Sequence, residues 1–69
     1  MSLAVQSIEA WNSGDRIQAY TLLCQLVRTS GWVDNLLGSN PPRDYMAMIH
    51  LQTVDGQTVA SVNRPVEMV

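Results

Sequence analysis

The 69-residue chain contains no lysine, a single cysteine (Cys24), a single histidine (His50) and no long apolar run. Each scarcity excludes something. One cysteine cannot form an intrachain disulfide, and one cysteine with one histidine cannot supply the four ligands of a structural zinc site. Without lysine the phosphate-binding P-loop motif is impossible. No apolar stretch approaches the roughly 18 residues that cross a bilayer. The start "MSLAVQSIEA" has neither a basic leader nor a continuous apolar segment, so the sequence reads as cytoplasmic.

Positive charge is also sparse. Arg16, Arg28, Arg43 and Arg64 lie far apart among six acidic residues, for a net charge of −2. Nucleic-acid affinity depends on clustered cations that neutralise phosphates, so direct nucleic-acid binding is disfavoured. A domain this short buries a small share of its surface, and small domains are commonly reinforced by disulfides, metals or partners. With the first two excluded, self-association or a partner protein remains. The hydrophobic fraction of 46% is that of a folding chain.

The pattern predicts a helix from Ser2 to Asn12, with Ser2 as its cap and Ala4, Ile8 and Trp11 forming an apolar stripe. Gly14 fits the left-handed helix stop, and Asp15 caps the next helix with Gln18 three residues on. That helix, Arg16 to Thr29, puts Ile17, Tyr20, Leu23, Cys24 and Val27 on one side, with Ala19, Leu22 and Leu26 widening the apolar sector. Gln18, Thr21, Gln25 and Arg28 fall opposite. Gly31 ends it, and "WVDNLLG", Trp32 to Gly38, is a short third helix. Pro41 and Pro42 then break the chain.

The period changes in the last third. Asp55 and Gly56 form a preferred type I′ turn between β-forming residues. Counting back from that turn pairs Val54 with Gln57, Thr53 with Thr58, Leu51 with Ala60 and Ile49 with Val62. Ala47, Ile49, Leu51, Ala60 and Val62 then share an apolar face, while Met48, His50, Gln52, Ser61 and Asn63 share a polar one. The expected fold is one α+β domain: two helices and a short third (residues 2–38), a Pro-Pro linker (39–44), an antiparallel hairpin (45–63) carrying the helices on its apolar face, and a tail or edge strand (64–69).

Catalytic chemistry is thinly represented. Cys24 lies on the apolar side of its helix, where burial keeps a thiol inert, and His50 has no carboxylate or thiol near it in sequence. Glu9, Asp15, Asp34, Asp44 and Asp55 form no calcium or two-metal spacing. The sequence therefore predicts a non-enzyme with no cofactor and no metal. Its candidate partner-binding residues are Trp32, Leu36 and Leu37 on the third helix, with Met48, His50 and Gln52 on the polar hairpin face. Tryptophan is enriched at binding hot spots, and an open two-stranded ribbon invites strand addition.

The run "EAWNSGDRIQAYTLL", Glu9 to Leu23, resembles the opening of SnoaL-like proteins of the NTF2-like superfamily. The same corner is similar to a tetratricopeptide helical hairpin. The later strands and pocket residues of that fold have no counterparts here, so its ligand binding or catalysis is not carried over; an oligomer of that kind, kept as an alternative, calls for a deep apolar pocket with His50 or Asp44 pointing inward. No second copy of the helical hairpin follows, and neither likeness assigns a family. The expected function is a small regulator, inhibitor or assembly subunit acting through protein contacts, alone or as a homodimer. An NTF2-like ligand binder and a nucleic-acid-associated regulator using the second helix are the alternatives.

Overall fold

A computed structural model describes residues 2–65. The elements run α1 (Leu3–Asn12), α2 (Arg16–Leu26), α3 (Trp32–Gly38), α4 (Arg43–Met46), β1 (Ile49–Val54) and β2 (Gln57–Val62). The fold is α+β, helices followed by a C-terminal antiparallel hairpin. An edge strand beyond Pro65, and the start at Met1, lie outside the described residues.

Local chemistry sets the helix boundaries. The Ser2 side chain accepts a hydrogen bond from the Val5 amide at 3.2 Å, satisfying a donor that the first turn of α1 leaves open. At the α1–α2 corner Gly14 takes φ +90°, and the Asp15 carboxylate accepts from the Gln18 amide at 3.1 Å. The corner is closed by the Asp15 amide donating to the Ala10 carbonyl at 2.9 Å. Helix α2 stops at Leu26, a turn earlier than the pattern suggests. Thr29 donates through both its amide (2.9 Å) and its hydroxyl (2.7 Å) to the Leu26 carbonyl, drawing the chain out of the helix before Gly31.

The core is built mainly between α1 and α2. Ala4, Ile8 and Trp11 of α1 meet Ala19, Leu23 and Leu26 of α2, and Leu36, Tyr45 and Met48 close the remaining sides. The buried row of α2 is Ala19, Leu22, Leu23 and Leu26, whereas Ile17 is 62% exposed. This corrects the expected apolar side: three adjacent rows of α2 are apolar, and docking against α1 selects the row containing Ala19, whose small side chain permits close approach. Tyr20, Cys24 and Val27 are half-buried at its margin.

One polar cluster sits inside this core. Ser7 Oγ donates to the Ala19 carbonyl at 2.8 Å and lies 2.8 Å from the Tyr45 hydroxyl. Because serine has one proton and the carbonyl can only accept, Tyr45 donates to Ser7. Burial raises the Tyr45 pKa above the ordinary 10.0, opposed by the hydrogen bond to Ser7.

The hairpin register is Ile49↔Val62, His50↔Ser61, Leu51↔Ala60, Gln52↔Val59, Thr53↔Thr58 and Val54↔Gln57, as the turn predicts. Asp55 and Gly56 both take positive φ, 52° and 79°, the signature of a type I′ turn. Two features differ from expectation. The chain is helical over Arg43–Met46, with Ala47 still in helical conformation, so strand alternation begins only at Ile49. In consequence Met48 is not on a polar strand face but 3% exposed in the core, and Ala47 is exposed. Only the base of the apolar face is covered: Ile49, Ala60 and Val62 are half-buried, while Leu51 is 55% exposed.

Candidate functional site

The corner that ends α1 and starts α2 places Trp11 and Arg16 side by side. The Arg16 guanidinium lies over the Trp11 ring, 3.7 Å from its centroid. The Trp11 ring also meets the Tyr45 ring edge-on, with centroids 5.7 Å apart and planes at 89°. These are favourable geometries for the ring quadrupole, with the cation over the electron-rich face and the neighbouring ring at right angles. Arg16 also reaches Asp44, 3.6 Å from Nη1 to Oδ2.

Asp44 is thereby held from several directions. Partial desolvation pushes its pKa up, but hydrogen bonds from the Trp11 side chain and from the Tyr45 and Asp44 amides, with the Arg16 charge, bring it below the ordinary 3.8. The Tyr45 amide contributes at 3.0 Å from Oδ1.

Beside this knot is an open cleft of about 240 Å³, bounded by Trp11, Arg16, Asp44, Ala47, Met48, Asn63, Arg64 and Pro65. The Asn63 amide donates to the Met48 carbonyl at 2.7 Å, which extends the hairpin ladder by one pair to two residues that line the cleft. The cleft has apolar walls from Trp11, Met48 and Pro65 and a polar rim. Arg16 and Asp44 on that rim already bind each other. His50 is on the hairpin, away from these residues, and Cys24 lies half-buried on α2. The cleft lining brings no nucleophile together with a base, as acyl transfer would need. Among the described residues no three His, Cys, Asp or Glu side chains converge as metal ligands.

The residues singled out from the sequence separate into two sets. Leu36 is 1% exposed and Met48 3%, so both serve the core and neither is available to a partner in this conformation. Trp32 is half-buried against that core. Leu37, at 58%, is exposed on the outer side of α3, and His50 and Gln52 are exposed on the hairpin. The register places His50 and Gln52 on one face with Val54, Gln57, Val59 and Ser61. Val54 and Val59 are each 48% exposed, and sequence reasoning had not chosen them. Their signal was present in the alternation, since both share the parity of His50 and Gln52.

No family model matches the chain, and comparison with curated proteins and with solved structures finds no match either. The likeness of Glu9–Leu23 to NTF2-like and tetratricopeptide proteins therefore stays a likeness of one helical corner, whose Gly14 and Asp15 are explained by stop and cap geometry. Among the described residues, no helix is long and apolar enough to cross a membrane.

Proposed function

We propose that this chain is a non-enzymatic protein-binding module that acts by presenting its hairpin to another polypeptide, either a different protein or a second copy of itself. The observation that carries this reading is the ribbon beyond the core. Leu51, Val54 and Val59 are each about half exposed, on a two-stranded sheet with open main-chain edges. Isolated two-strand ribbons are marginally stable in water and are stabilised by packing or by an added strand. Arg16 stacks on Trp11 and pairs with Asp44 at 3.6 Å, contacts that tie α2 to α4.

The test compares the wild-type chain with Leu51→Lys/Val59→Lys, one exposed position on each face of the hairpin, in two measurements, capture of proteins from its source and sedimentation at high concentration. Retention of a protein, or self-association, that is lost in the double variant supports the reading. A wild-type chain that stays monomeric and retains nothing overturns it, as does binding that the double variant leaves intact.

A further inference from the structure

We infer that the hairpin's partner is a second copy of this chain, joined edge to edge through β1 in an antiparallel register centred on Leu51. The inference rests on the protein-binding reading above and names the occupant of that surface.

The direction of the main-chain groups selects the edge. Asn63 donates to Met48 across the ladder at 2.7 Å. In an antiparallel pair, hydrogen-bonded and non-bonded positions alternate, so His50–Ser61, Gln52–Val59 and Val54–Gln57 are the bonded pairs. Ile49, Leu51 and Thr53 consequently turn their N–H and C=O groups away from β2. Among the described residues, the Leu51 and Thr53 main chains make no hydrogen bond outside the ladder. The opposite edge, at Thr58, Ala60 and Val62, is less open: Ala60 and Val62 are half-buried, and α2 lies against β2. Along β1 every residue from His50 to Val54 is exposed.

This edge has none of the usual protections. Between Ile49 and Val54 there is no aspartate, glutamate, lysine, arginine or proline, and the register runs without a bulge. Proteins that avoid edge pairing place lysine, proline or a bulge at such sites.

Charge argues for self-pairing over a charged partner. Two copies of a chain of net charge −2 repel in general, and the Ile49–Val62 ribbon carries only Asp55 as a formal charge. A two-fold axis at Leu51 sets Leu51 opposite its own copy, Ile49 opposite Thr53 and His50 opposite Gln52. Asp55 then falls beyond the paired strand, beside Ala47 of the partner copy. Within the paired segment, Ile49 to Thr53, no aspartate, glutamate, lysine or arginine of one copy faces the other. The pairing satisfies the outward groups with about six new main-chain hydrogen bonds and joins the apolar faces of two ribbons into a four-stranded sheet. An edge without formal charge gains no side-chain ion pair from a charged strand, whereas a second copy adds the apolar Leu51–Leu51 pair to the main-chain hydrogen bonds.

Sedimentation equilibrium of the full chain over a wide concentration range tests this, with Leu51→Lys, Thr53→Pro and, on the other edge, Thr58→Lys. Leu51 and Thr58 are exposed, so the lysine variants retain the folded monomer, which circular dichroism verifies. The expected result is a reversible wild-type dimer, weakened about tenfold or more by Leu51→Lys, which sets like charges face to face, and by Thr53→Pro. Thr58→Lys leaves it unchanged. A wild-type chain that remains monomeric throughout overturns the inference, and so does a dimer indifferent to Leu51→Lys or equally sensitive to Thr58→Lys. A monomeric chain that still binds a different protein through the hairpin overturns the self-pairing and leaves the protein-binding reading standing.

Discussion

The Ser7 hydroxyl and the Tyr45 hydroxyl lie 2.8 Å apart in the core, joining residues separated by 38 positions in the chain. Ser7 belongs to α1 and Tyr45 to the short α4, so this contact helps define where the chain turns before the hairpin begins. The two groups are not equivalent. Tyr45→Phe removes one hydrogen bond and leaves Ser7 still donating to Ala19, an expected cost of about 0.5 to 1.5 kcal/mol. Ser7→Ala strands the Tyr45 hydroxyl in the core and is expected to cost about 1 to 3 kcal/mol. Urea denaturation of both variants gives the order; a larger loss in Tyr45→Phe would contradict the assigned donor direction.

On α2 the contrast is between Leu23, fully buried, and Ile17, 62% exposed. Leu23→Ala is expected to cost about 2 to 5 kcal/mol through lost burial and the cavity left behind, enough to unfold a marginal domain. Ile17→Ala is expected to stay within about 0.5 kcal/mol of wild type. Thermal melts of the two variants decide, and similar losses would place Ile17 in the core after all.

Stability is expected to fall at both ends of the pH scale for separate reasons. The folded pKa of Asp44 lies below 3.8, so as pH drops under that value the unfolded chain takes up the proton first, and the contribution of Asp44 disappears as pH passes its folded pKa. Asp44→Asn removes this part of the acid dependence. Tyr45 has its folded pKa above 10.0, so its contribution is complete below pH 10.0 and is lost as pH rises toward the folded value. Tyr45→Phe removes that alkaline loss. Denaturation midpoints across pH for each variant and wild type supply the comparison, with unchanged profiles counting against the assignment.

Trp11 acts on Asp44 directly. Trp11→Phe keeps an aromatic ring but deletes the indole N–H, so the Asp44 pKa is expected to move back up toward 3.8. A carboxyl-carbon NMR titration reads this. If the Asp44 titration is the same in Trp11→Phe, the indole contributes nothing to the charge on that carboxylate.

Much of the local structure was legible in the residues because it depends on near neighbours. Ser2 with Val5 and Asp15 with Gln18 satisfy helix ends within a single turn. Asp55 and Gly56 accept the positive φ that aligns two strands, and the register follows by counting. The candidate site was less legible. Of the residues the sequence proposes for partner binding, His50, Gln52 and Leu37 are exposed whereas Leu36 and Met48 lie in the core, and the equally exposed Val54 and Val59 are not among them. The Trp11–Arg16–Asp44 knot joins a helical corner to a segment read from the sequence as linker, and no local pattern connects the two.

The sequence by itself determined the order of the elements, their caps and the pairing of the hairpin, because these follow from conformational preferences and hydrogen bonds spanning a few residues. Only the tertiary structure decided which apolar row of α2 is buried, that Met48 packs inward and that Leu51 remains outside. Those choices depend on where α1, α4 and the hairpin base meet, and the same alternating apolar pattern is compatible with several dockings until Tyr45 meets Ser7 and the Trp11 ring.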